Sequence, residues 1–314
     1  MFRMVAILCV LLAALCFGTT GTAQAFGPAD ASSLSVGAAR ILIGGGALAA
    51  IAGVALLRSR AGAGRGIRPT VTRGAGTRTL PAGALVAVGA LGVLAYQPAF
   101  FLGTAVNGVA VGTIVALGSA PVITGALQWA LTRRFPGAIW LVATIVATVG
   151  VALLSGVTDA AGSAVDPAGL LSSLAAGASY AVYTLASKAL LNRGWTPIGA
   201  MGGVFGVAAA LSLPLLLLTD TSWLATGPGV AMALWLGLVT TALAYLLFAR
   251  GLAALPAATV STLTLAEPLT ASLLGILVLG ERLPATAVLG LVVLAAGLVI
   301  LAVPARRRPG EVLP

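Results

Sequence analysis

The chain has 314 residues, of which 60% are apolar, 8% are charged and 41 are glycine. A soluble domain carries about a quarter charged residues, so water is not the main solvent of this one. The net charge of +10 is not the patch of a nucleic-acid binder, because the basic residues sit at the ends of apolar runs with no interleaved aromatics.

Runs long enough to cross ~30 Å of hydrocarbon predict ten helices, at 3–26, 34–57, 80–102, 105–131, 138–154, 168–190, 197–218, 229–249, 256–279 and 285–303. The first run holds Cys9 and Cys16, which on a helix lie ~10 Å apart along the axis and therefore cannot bridge each other. Its start with Arg3 and its end at Ala23-Gln24-Ala25 also imitate a cleavable signal peptide. Between the second and third runs, Arg58–Thr79 is rich in Gly and Arg and reads as a flexible loop. The other connections are short, which leaves no room for a soluble domain.

Charge orients the spans, since cytoplasmic loops accumulate Lys and Arg. With the N-terminus inside, the inner side receives Arg3, Arg58, Arg60, Arg65, Arg68, Arg73, Arg78, Arg133, Arg134, Lys188, Arg193, Arg250 and Arg306 to Arg308, fifteen of the 17 basic residues. The outer side receives Asp30, Asp159, Asp166, Asp220, Glu281 and Arg282. An even number of spans with both termini cytoplasmic follows, in a cell inner membrane.

The two halves repeat. Ala120-Pro121 matches Glu267-Pro268 and Gly150 matches Gly297 at one offset (268 − 121 = 297 − 150 = 147), while Leu94-Ala95-Tyr96 matches Leu243-Ala244-Tyr245 at 149 (245 − 96). Each half holds five helices, an odd number, so the second enters the membrane inverted relative to the first. Inverted repeats are the plan of many secondary transporters, with the substrate site near mid-membrane at the repeat interface. The expected units are 1–155 and 168–303, followed by a short basic tail at 304–314. Helix one is expected to be retained, because its loss would leave four helices against five.

Phe17-Gly18-Thr19-Thr20, Ala38-Ala39-Arg40, Leu265-Ala266-Glu267-Pro268 and Leu279-Gly280-Glu281-Arg282-Leu283 resemble the EamA family of the drug/metabolite transporter superfamily. The last two blocks are the specific part. The resemblance implies export or exchange of small solutes such as amino acids. The first half departs from the pattern, with Thr132-Arg133-Arg134-Phe135 and Ala120 where the second has Gly280-Glu281-Arg282-Leu283 and Glu267.

Pro121 and Pro268 lie near the middle of their spans, where proline frees a backbone carbonyl. Paired breaks of this kind point to the binding site, the alternative being kinks made for packing. Arg40 and Glu267 are the charged residues well inside spans, and intramembrane charge marks function by default. Arg40, in the outer third of its helix, is long enough to snorkel. Glu267 is central, which makes it the candidate for coupling protons to substrate movement. Thr259, Thr262, Glu267 and Thr270 share a ~140° sector at 100° per residue, set against interhelical hydrogen bonding as the plainer use of a threonine. Thr19, Thr20, Gln24, Tyr96, Gln97, Asn107, Tyr180, Tyr183 and Tyr245 complete the candidates, of which only Tyr180 and Tyr183 lie deep enough to escape reading as an interfacial belt. Gly108 with Gly112, and Gly199 with Gly203, form GxxxG spacings suited to close helix contact.

No histidine is present, which removes His-based acid–base catalysis and the usual zinc sites. No Walker-type glycine loop supplies nucleotide binding. The expected activity is therefore secondary transport of a small-molecule substrate by alternating access, without cofactor or metal, with the lipid bilayer and protons as the other partners. A membrane scaffold and a lipid-modifying enzyme are the alternatives.

Overall fold

The structure is a computed structural model that describes residues 2–62, 80–155 and 165–303. Parts of the basic loop, Asp159 and the tail from 304 onward lie outside the described residues. Ten apolar helices run through it: α1 Phe2–Ala25, α2 Ser33–Ser59, α3 Ala82–Gly108, α4 Val111–Thr132, α5 Ala138–Leu154, α6 Pro167–Asn192, α7 Pro197–Leu217, α8 Gly227–Ala254, α9 Ala257–Leu279 and α10 Ala285–Ala302. Nine have 18 or more residues, and α5 is shorter at 17.

Helix starts in the second half follow from sequence chemistry. Asp166 Oδ1 accepts from Ala168 N at 2.7 Å ahead of α6. Thr196 Oγ1 accepts from Gly199 N at 3.0 Å ahead of α7, and Thr226 Oγ1 from Gly229 N at 3.1 Å ahead of α8. In each case a capping side chain satisfies an amide that has no partner inside the helix, and Pro167, Pro197 and Pro228 occupy first-turn positions where a missing N–H costs nothing.

One boundary differs from the sequence reading. α3 continues past 102 to Gly108, whose φ of 80° and ψ of 157° make the turn into α4. Asn107 therefore ends α3 rather than sitting inside α4. Gly108 is used for its backbone freedom, whereas Gly112 lets the start of α4 approach the Thr104 backbone of α3, so one glycine of the GxxxG makes the turn and the other a close helix contact.

The packing has two-fold symmetry. α1 lies against α8 and α9, and its counterpart α6 lies against α3 and α4; α2 pairs with α7, and α5 with α10. The close contacts are reciprocal at residue level. No β-carbon fits at Gly150 beside the Leu294 backbone, nor at Gly297 beside the Ala147 backbone, and both pairs are related by one offset (297 − 150 = 294 − 147 = 147). At the α2–α7 crossing Gly45 meets Phe205 and Gly202 meets Leu48, again with one offset (202 − 45 = 205 − 48 = 157). Residue i touching j while j's equivalent touches i's equivalent is what a two-fold axis requires. Two such crossings establish the inverted repeat as geometry.

Candidate functional site

A cavity of about 80 Å3 sits where the halves meet, lined by Phe17 of α1, Arg40 and Ile41 of α2, Val93, Tyr96 and Gln97 of α3, Leu117 and Ala120 of α4, Tyr180 and Tyr183 of α6, Tyr245 of α8, and Ser261, Thr264, Leu265, Glu267 and Pro268 of α9. It lies on the symmetry axis, since Tyr96 and Tyr245 are repeat equivalents and so are Ala120 and Glu267. Small-molecule sites run from roughly 300 Å3 upward. In this conformation the cavity must widen to admit a metabolite.

The break in α9 explains how Glu267 reaches the cavity. Pro268 lacks the N–H that would bond the Thr264 carbonyl, and that carbonyl accepts from Glu267 N at 2.9 Å instead, while Leu265 N donates to Thr262 O at 3.1 Å. These i−3 bonds tighten the chain to about three residues per turn, so Thr264 and Glu267 lie one above the other. Thr264 Oγ1 then shares a 2.9 Å hydrogen bond with Tyr180 OH. A regular helix projection misses Thr264, which at 100° per residue falls ~60° outside the sector that holds Glu267.

Arg40 does not snorkel. Its Nε donates to Thr241 Oγ1 at 3.0 Å and its Nη2 to the Thr240 carbonyl at 3.3 Å, both on α8. The guanidinium is thus held against α8 rather than in an ion pair with Glu267, although both residues line one cavity.

The chain has 4 tyrosines and all of them line this cavity, so the belt reading of Tyr96 and Tyr245 is corrected. Tyr245 OH donates to Tyr183 OH at 3.4 Å. Ring centroids lie 5.1 Å apart for Phe17–Tyr245 and for Tyr180–Tyr183, and 4.1 Å for Phe205–Tyr245, which gives the cavity an aromatic wall.

Other candidates stand elsewhere. Pro121 is buried in an α-helix that runs without interruption from Val111 to Thr132, so the expected matched break is present only at Pro268; Ala120, beside Pro121, lines the cavity instead. Thr262 is fully buried, accepts from Trp140 Nε1 at 3.1 Å and shares a 2.8 Å bond with Thr144, which ties α9 to α5. Thr270 bonds back to the Ala266 carbonyl, and Thr259 lies off the cavity lining. Thr20 is likewise absent from that lining, and Thr19 accepts from Trp235 Nε1 at 2.9 Å beside a separate apolar pocket between α1, α8 and α9. Asn107 exchanges two hydrogen bonds with the Asp166 backbone, at 2.9 and 2.8 Å, and so clasps the end of α3 to the start of α6. Phe17, Ser261, Leu117 and Thr264 were not singled out from sequence. Only Phe17 had a signal there, its place in the Phe17-Gly18-Thr19-Thr20 block.

Two inverted five-helix units around a central cavity that Arg40, Glu267 and the tyrosines line define a multi-pass membrane protein of the transporter class. The chain belongs to the EamA-like transporter family, whose profile matches residues 4–156 and again 167–303. It is 40% identical over 303 residues to the uncharacterized transporter YwfM of Bacillus subtilis, covering 96% of this chain and 95% of that one. It is 26% identical over 220 residues to the uncharacterized inner membrane transporter YicL of Salmonella typhimurium, covering 69% of this chain and 72% of the relative. A solved protein structure superposes with a TM-score of 0.73 at 20% identity, covering 94% of this chain and 97% of the other, a likeness of fold.

Proposed function

We propose that this transporter exports or exchanges small zwitterionic metabolites such as amino acids, with proton movement coupled through Glu267. The observation that carries the reading is one cation and one carboxylate, Arg40 and Glu267, facing a single cavity without pairing to each other. Opposite charges held apart in a site of low dielectric match a solute that brings both signs, whereas a polyanion meets Glu267 and an aromatic wall. Tyrosine hydroxyls and Gln97 supply neutral hydrogen-bonding groups around them. Because the site lies on the repeat axis, rocking of one half against the other exposes it to each side in turn. The charge distribution of the loops orients the protein with both termini in the cytoplasm of a cell with this inner membrane.

Counterflow in proteoliposomes tests the reading. Vesicles preloaded with an unlabelled amino acid should accumulate the labelled one transiently, and cells lacking the protein should retain that solute. Failure of every free amino acid to support counterflow overturns it.

A further inference from the structure

α8 departs from α-helical geometry over Trp235–Leu243, where it is a π-helix. Such segments insert residues into a helix and recur at functional sites. The Thr241 hydroxyl donates to the Leu236 carbonyl, five residues back, at 2.9 Å, and Thr240 Oγ1 donates to the same carbonyl at 2.8 Å. With its only proton spent on the backbone, Thr241 Oγ1 presents lone pairs, and Arg40 Nε donates to it. A second bond joins Arg40 Nη2 to the Thr240 carbonyl. One edge of the guanidinium is thereby fixed on α8. The end-on edge, formed by Nη1 and the second Nη2 hydrogen, remains to match a carboxylate with two parallel bonds.

The two-fold symmetry is broken at both partners. The stretch of α3 leading into Leu94-Ala95-Tyr96 is regular helix, and at the α2–α7 offset the equivalent of Arg40 is Pro197 (40 + 157 = 197). Packing alone does not call for the π segment, since its counterpart does without one.

We infer that Thr241, oriented by the π-helical segment, is the positioning residue that sets the Arg40 guanidinium for end-on capture of a substrate carboxylate. The inference rests on the proposed zwitterionic substrate. It assigns the carboxylate to Arg40 and leaves the ammonium to Glu267 and the tyrosine wall, where cation–π attraction adds to charge.

The test is counterflow in proteoliposomes with a panel of labelled free amino acids, with the corresponding methyl esters as competitors. Thr241→Val keeps the shape and removes the acceptor. It should raise KM about tenfold, the size expected for losing a charge-assisted bond, while Vmax stays within about twofold. Thr241→Ser, which keeps the hydroxyl, should restore KM, and methyl esters should compete poorly against the wild type. If Thr241→Val does not insert, Thr241→Ala gives the same readout. An unchanged KM in the Val or Ala variant, or equal impairment in the Ser variant, overturns the positioning role and leaves the zwitterion reading standing. Methyl esters that compete as well as free acids, or no counterflow by any free amino acid, overturn that reading and the inference with it.

Discussion

At the scale of single residues, environment rather than type decides what a polar side chain does. Thr262 and Thr264 are two positions apart on α9, yet Thr262 bonds to Trp140 and Thr144 while Thr264 lines the cavity and meets Tyr180. Glu267 and Arg40 were legible as candidates because charge inside a span costs roughly 2.5–3.5 kcal/mol and is kept only for a use. The tyrosines were half legible. Tyr180 and Tyr183 stood out by depth, but Tyr96 and Tyr245 lie toward helix ends in the linear reading and reach the same cavity from α3 and α8. Glu267→Gln keeps the side-chain shape and removes titration. It should abolish accumulation driven by a pH gradient while exchange without a gradient persists within about threefold. Uphill transport by that variant with an unchanged pH profile would return Glu267 to a structural role beside Pro268.

At the scale of the element, proline marks a break only where the neighbouring backbone accepts the tighter turn. Around Pro268 the i−3 bonds from Leu265 N and Glu267 N re-satisfy carbonyls, and the helix rotates Thr264 into line with Glu267. Around Pro121 the helix stays regular, and Thr124 Oγ1 returns to the Ala120 carbonyl at 2.7 Å. Pro268→Ala should therefore restore a regular turn and cut transport at least about tenfold, with thermal stability kept or raised, since an interior proline costs ~3 kcal/mol. Pro121→Ala should leave transport within about twofold. Transport rates set beside melting temperatures in detergent check both, and equal loss of activity in the two variants would show that the break is not the working feature. The same scale contains a register lesson. Arg133, with φ 57°, caps α4 where Gly280, with φ 70°, caps α9, and 280 − 133 = 147 matches them at the offset of the Gly150–Gly297 pair. Sequence comparison had set Thr132 against Gly280, because an arginine in the left-handed region is not an evident counterpart of a glycine.

At the scale of the whole molecule, the inverted repeat makes a membrane prediction. Reporter fusions after Val303 and within residues 62–77 should both read cytoplasmic, and fusions within 159–166 should read external. An external reading after Val303 would remove the even-numbered arrangement. Hydropathy, an odd number of helices per half and matched short motifs were enough to read ten spans, two inverted units and the family resemblance, because each depends on local composition or on spacing along the chain. The site itself depended on how helices cross. Which threonine faces the cavity, why Arg40 turns to α8 instead of the headgroups, and why Pro268 breaks a helix that Pro121 does not are set by contacts between residues as much as 201 positions apart, such as Arg40 and Thr241. Period and polarity report which residues avoid lipid. Only the tertiary structure decides whether they meet a neighbouring helix or a cavity, because both are equally shielded from hydrocarbon.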